Sequence, residues 1–139
     1  MSYERKRVVI DTSSLIAACI YPDRIPAQVF MQALQRCELV TTKETLSELI
    51  EVLGRPKFDR WRPLSTRMEW LHLYATNTTQ YHPTERITDC RDAKDNKFLE
   101  AALAASAEVI VSSDDDLCSL HPYQGIDILS LQDFAKKYL

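Results

Sequence analysis

Glycine is almost missing from this chain: only Gly54 and Gly125 occur among 139 residues. Dinucleotide and P-loop sites need several glycines together so that backbone amides can approach phosphates. Neither kind of site can exist here. A surplus of positive charge is missing too. The 17 basic and 20 acidic residues leave a net charge of −3, which excludes a protein that grips nucleic acid by bulk charge but leaves room for a local basic strip. No apolar run approaches the roughly 18 residues that would cross a bilayer. The start MSYERKRVV is charged and its apolar segment breaks at Asp11, so no signal peptide is expected and the protein reads as cytoplasmic, with no membrane partner. Four cysteines, Cys19, Cys37, Cys90 and Cys118, lie far apart, with no C-x-x-C pair and no histidines at zinc-finger spacing. They read as free buried thiols of a reducing compartment.

What remains is a chain with 45% hydrophobic residues, enough for one core, and it reads as a single domain over residues 1–139. The run Val8, Val9, Ile10 is wholly apolar and β-branched, as suits a central strand covered on both faces, and Asp11 follows it directly. Two readings of Asp11 stand side by side: a functional acid at the carboxyl end of a strand, or a cap for the short apolar helix over 15–20, a task Thr12, Ser13 or Ser14 could also perform. Helices follow over 27–36, on Val29, Phe30, Ala33 and Leu34, and over 42–53, on Leu46, Leu49, Ile50 and Leu53. A short strand over 38–41 separates them. Glu44, Glu48 and Glu51 fall on the polar side of the second helix, and periodicity does not separate them.

Residues 55–67, RPKFDRWRPLSTR, interleave Arg55, Lys57, Arg60, Arg62 and Arg67 with Phe58 and Trp61. Cations among aromatics suit single-stranded nucleic acid, held by its phosphates and by base stacking. The competing reading is an exposed connection whose aromatics dock it on the core. A helix over 67–76 and a brief strand over 79–82 come next. His72, His82 and His121 are scattered beside no nucleophile motif and read as structural.

The stretch DCRDAKDNKFLEAALAASA, 89–107, predicts a helix on Phe98, Leu99, Ala102 and Leu103, with Asp92 and Asp95 at its start. Asp95 continues the buried stripe toward the sheet, where a carboxylate needs a partner such as a cation. The strand EVIVS, 108–112, runs into Asp114, Asp115 and Asp116 and so repeats the arrangement at Asp11. A last strand over 126–129 and a helix over 131–139 close the chain.

Alternating strands and helices imply an α/β fold with a mostly parallel sheet of four to five strands and right-handed crossovers. Strand ends and helix starts then share one edge. Asp11 and Asp114 to Asp116 reach that edge from strand ends, Asp95 from a helix start, and Glu48 from about a turn into its helix. Two unit charges about 4 Å apart repel by roughly 4 kcal/mol at an effective dielectric of 20, so such a gathering calls for a counter-charge. Oxygen ligands without histidine or cysteine suit Mg2+ or Mn2+, and such ions serve phosphodiester hydrolysis.

These residues resemble the PIN domain nucleases, and within them a group related to the VapC toxins. The likeness rests on V-I-D-T-S-x-L at Asp11, T-x-x-x-x-S-E-L ending in Glu48, D-x-x-D-N-K-F-L-E-A-A at Asp92 and Asp95, and V-S-S-D-D-D-L. The resemblance implies a three-layer α/β/α sandwich and a Mg2+- or Mn2+-dependent endoribonuclease. It makes Asp11, Glu48, Asp95 and Asp114 the acidic quartet, with Asp11, Asp95, Asp114 and Asp116 as metal ligands, and so selects Glu48 among the three glutamates. Ser13 stands where asparagine is frequent, and Ser112 matches a hydroxyl that supports the site. Asp92 is either a supporting ligand or only a cap. Ser113 replaces a frequent glycine, which alters the turn. On this reading Arg55, Lys57, Arg60 and Arg62 guide RNA, the Thr12 to Ser14 hydroxyls keep the capping role, and the implied partners are a small antitoxin protein and a second copy in a homodimer. Two rivals stand beside it: a non-catalytic binding module of the same fold, and a ribonuclease of RNA processing outside any toxin system. A receiver-type phosphoacceptor domain would need a lysine after a late strand, where this chain has SDDDL.

Overall fold

A computed structural model describes residues 5–139, so the first four residues of the charged start lie outside the described part. Five strands form one wholly parallel sheet: β1 (Arg7–Ile10), β2 (Glu38–Thr41), β3 (Thr78–Gln80), β4 (Val109–Val111) and β5 (Asp127–Leu129). Their order is β3-β2-β1-β4-β5. The chain therefore winds outward from β1 to β3, then returns to the other side of β1 to add β4 and β5. The point of return, between β1 and β4, is where open α/β sheets hold their ligands, beyond the carboxyl ends of the strands. Val9 opposes Ile110 there, and Ile10 opposes Val111.

Two cores flank the sheet, because successive side chains of a strand point to opposite faces. Val8, Ile10, Leu39, Val109 and Val111 face one layer. It contains α1 (Thr12–Ile20), α2 (Ile25–Arg36), α3 (Lys43–Leu53), α4 (Leu64–Thr76) and α7 (Leu131–Tyr138). Val9, Val40, Ile110 and Ile128 face the other, built on α5 (Asn96–Ala105) and the short α6 (Asp115–Cys118). The uninterrupted apolar run at β1 is thus explained by cover on both sides, and the architecture is the expected three-layer α/β/α sandwich.

Several boundaries differ from the sequence-based expectations, each for a local reason. Helix α1 starts at Thr12 rather than at residue 15, because Asp11 itself is the N-cap and accepts from the Ser14 amide. Capping therefore falls to the acid and not to the hydroxyls after it. Helix α2 begins at Ile25, with its proline in the first turn, and α4 begins at Leu64. Strand β3 covers Thr78–Gln80, in register with Leu39 to Thr41. Ile50, expected on a packed face, is 47% exposed. The aspartates after β4 do not form a plain turn, since Asp114 caps α6 by accepting from the Asp116 amide. Gly54 closes α3 at φ −81°, an ordinary right-handed value, so Pro56 rather than a left-handed glycine stops the helix.

The largest departure is Arg67, expected in the basic strip but fully buried. Its guanidinium donates to the Leu53, Arg55 and Arg62 carbonyls and to Asp59 Oδ1. A buried cation is tolerated only with such partners. Here it ties the end of α3 and residues 55–62 to the start of α4.

Candidate active site

The carboxyl end of β1 and the segment after β4 are joined by one hydroxyl. Ser112 Oγ, buried, donates to Asp11 Oδ2 at 2.6 Å and accepts from the Asp114 amide at 3.0 Å. The Asp11 amide in turn donates to the Val111 carbonyl at 3.0 Å. Asp11 Oδ1 accepts from the Ser14 amide at 2.9 Å, so the acid caps α1 with one oxygen and reaches toward β4 with the other. Only 4% of it is exposed. Burial pushes its pKa up, opposed by the hydrogen bonds from Ser112 and Ser14.

Asp95 is the opposite case. It ends a 3-10 turn (Ala93–Asp95) that leads into α5, and Asp92 caps that turn by accepting from the Lys94 amide. Asp95 Oδ2 is buried with no hydrogen-bond partner among the described residues. Burial, followed by the charges of Asp114 and Asp92, raises its pKa to about 7. One oxygen each from Asp92, Asp95 and Asp114 lie within 4.8 Å of one another. An orphaned buried oxygen beside two further carboxylates fits a hard divalent cation, which takes oxygen ligands and cancels their repulsion. Asp92, Asp95 and Asp114 are therefore the residues that could hold such an ion, with Asp11 one hydroxyl away.

Glu48 stands apart from that trio. Its Oε1 accepts from Thr12 Oγ1 and its Oε2 from Lys97 Nζ, both at 2.5 Å. The ion pair is largely sheltered, with the side chains 20% and 24% exposed. Lys97, two residues past Asp95, is thus committed to Glu48 and not to Asp95. Asp116 is not one of the trio and pairs with the exposed Arg91. Thr12, expected as a cap, holds Glu48 instead, and nothing in the sequence marks this pairing or those of Lys97 and Arg91, because each partner lies 25 or more positions away. The need for counter-charge was the only available pointer to the cations.

A cleft of about 590 Å³ opens over these acids, lined among others by Thr12, Ser13, Glu48, Asp92, Asp95 and Asp114. Arg55, Lys57 and Phe58 line the same cleft, and so does Lys94. Arg60 and Arg62 do not. Arg60 lies over the Trp61 ring, and Arg62 donates to the Cys19 carbonyl. Arg55 is also paired with Glu51 one helical turn back. His121 has a structural task, accepting from the Ile128 amide through Nδ1. All four cysteines are free, and Cys118 alone is only half-buried.

Carboxylates thus gather at the switch point of a parallel sheet, over a cleft with a cationic rim, an arrangement compatible with a divalent cation. The PIN domain family model matches residues 7–116, and the chain belongs to that family of nucleases. Among its relatives, the uncharacterized protein MJ1680 of Methanocaldococcus jannaschii is 29% identical over 116 residues, 82% of this chain and 74% of that protein. Two solved structures share the fold. PAE2754 from Pyrobaculum aerophilum has a TM-score of 0.59 at 14% identity, covering 95% of this chain and 91% of its own. VapBC2 from Rickettsia felis, solved bound to a DNA fragment from its promoter, has a TM-score of 0.58 at 9% identity, covering 88% and 96%.

Proposed function

We propose that the protein is a Mg2+- or Mn2+-dependent endoribonuclease, with Asp95, Asp114 and Asp11 as its central acids and Asp92 supporting them. The observation that carries this reading is the unpartnered buried oxygen of Asp95, set against Asp92 and Asp114. Held by Asp92, Asp95 and Asp114, a divalent ion would supply positive charge for an attacked phosphate and for activation of water. The protein's own groups then have separate tasks. Ser112 fixes Asp11 and the Asp114 backbone relative to each other. Thr12 and Lys97 hold the Glu48 carboxylate still, so Glu48 orients the wall of the site. Asp116, held by Arg91, serves as an outer acid. Ser13, exposed on the cleft wall, offers a hydroxyl to the substrate. Arg55 and Lys57 attract the phosphates of an RNA strand into the cleft, while Arg60 and Arg62 extend the positive field along the loop.

By likeness of fold to a VapBC structure, we assign the protein the role of the toxin in a toxin–antitoxin pair, with a small antitoxin as partner, acting in the cytoplasm as a homodimer. No helix among the described residues is long and apolar enough to cross a membrane. The test is RNA cleavage by the purified protein with Mg2+, Mn2+ or EDTA, alongside Asp11→Asn and Asp95→Asn. Equal cleavage by all three proteins would remove these acids from the mechanism. Growth arrest on expression of the wild type, absent in Asp95→Asn, separates a toxin from a processing enzyme.

A further inference from the structure

The loop over residues 55–62 leaves one question that the acids do not answer: what its two aromatic rings do. An aromatic side chain in a connecting loop ordinarily docks that loop on the core. Here neither ring does. Phe58 and Trp61 belong to neither core cluster, Phe58 is only half-buried, and Trp61 is 48% exposed. Anchoring is done instead by Arg67, which binds the loop from beneath through the Arg55 and Arg62 carbonyls and Asp59. With anchoring assigned elsewhere, the rings are left without a structural task. They lie near each other, with centroids 6.4 Å apart and planes inclined at 47°. Each carries a cation: Lys57 Nζ is 5.1 Å from the Phe58 centroid and the Arg60 guanidinium 4.8 Å from that of Trp61. Phe58 and Lys57 also line the cleft that contains Asp95 and Asp114.

We propose that Phe58, flanked by Trp61, is a base-stacking subsite for a nucleotide adjoining the one whose phosphate meets the acids. Its ligand is an unpaired base of single-stranded RNA, and the inference rests on the ribonuclease reading above. A nucleotide carries a flat ring and an anion, and the loop offers an aromatic ring with an ammonium 5.1 Å from its centroid. Stacking on an aromatic ring requires an unpaired base, whereas cations alone accept duplex and single strand alike. Phe58 therefore selects strandedness, and Arg55 and Lys57 supply attraction. A groove for an apolar protein segment would not need a cation over each ring or a floor of carboxylates.

The test uses a short RNA oligonucleotide carrying 2-aminopurine, titrated with the full chain in EDTA so that nothing is cut, and separately incubated with Mn2+ to score cleavage. Wild type is expected to quench the fluorophore. Phe58→Ala and Phe58→Leu should lose the quench and bind about tenfold more weakly, with an unchanged slope of log Kd against log salt, and Phe58→Tyr should restore both. The leucine variant keeps the apolar volume without the ring, so loss in both variants with unchanged melting temperatures assigns the effect to stacking. Wild-type binding without quenching, quenching equal in all variants, or equal affinity for the blunt duplex would overturn the subsite. Cleavage without quenching overturns the subsite and keeps the nuclease. Quenching without cleavage keeps the subsite and overturns the nuclease.

Discussion

The acid floor and the cationic loop face each other across one cleft, and they are built in opposite ways. The floor is made of strand ends and helix starts. Asp11 is 4% exposed and Ser112 is fully buried, and Asp11, Ser112 and Asp114 are linked by hydrogen bonds through the central strands. The loop rests on the buried Arg67 and on the tie from Arg62 to the Cys19 carbonyl, and its working side chains are exposed or only half-buried. Like charges can be held close only where the backbone is rigid and a counter-ion is due, so the floor's acids sit at strand ends and helix starts. Cations that meet a mobile strand gain nothing from burial, since desolvating them would cost more than their contact returns. Position is fixed where chemistry is expected, and left adaptable where a chain must slide in.

The sharpest break in this comparison removes a floor acid. Asp95→Asn or Asp114→Asn should lower Mg2+-dependent cleavage by on the order of a hundredfold or more, given that even supporting groups around metal sites cost about 10 to 100-fold. Ser112→Ala, which leaves both acids in place, should fall within that smaller range. Initial rates on a single RNA would rank the three. Retained activity in Asp95→Asn would move the chemistry off the floor.

On the loop side the largest effect is on stability. Arg67→Met strips donors from three carbonyls and leaves Asp59 unpaired, at a cost of about 2 to 4 kcal/mol, read as a lower denaturant midpoint. Because the acids do not depend on Arg67, the folded fraction should keep its divalent-ion binding while losing RNA affinity. Loss of both together would mean that floor and loop are one unit.

A pH experiment sharpens the contrast further. With its pKa raised to about 7, Asp95 holds a proton in the folded metal-free protein over a range where the unfolded chain has already released it. Asp95's contribution to stability therefore falls as pH rises from about 4 toward 7, because the unfolded state binds fewer protons at that group there. A divalent ion should reverse this. The melting temperature should rise more on adding Mn2+ at pH 8 than at pH 5, and an equal rise at both would separate Asp95 from the ion site. The smallest effect belongs to a single rim cation. Lys57→Ala should reduce the slope of log Kd against log salt by about one and leave kcat unchanged.

Much of the floor was legible in the chain, because strands that feed acids to one edge follow from alternation and handedness alone. Asp11, Asp95 and Asp114 could be placed at that edge before any contact was known. Asp92 could not be decided, because its capping of the 3-10 turn and its place beside Asp95 and Asp114 are both real. The loop was less legible. Five cations in thirteen residues look alike in sequence, yet Arg67 is buried beneath the loop, Arg62 is tied to α1 through Cys19, and only Arg55 and Lys57 reach the cleft.

The sequence by itself determined the mostly parallel α/β sheet, the edge on which the acids meet, and the exclusion of phosphate cradles by the lack of glycine. These follow from local periodicity and chain connectivity, which act over a few residues at a time. Tertiary structure alone decided which charges pair. Lys97 was given to Glu48, Arg91 to Asp116 and Arg67 to the loop, while Asp95 kept a bare oxygen. An ion pair depends on a distance between side chains remote in sequence, and that distance exists only once the layers have packed.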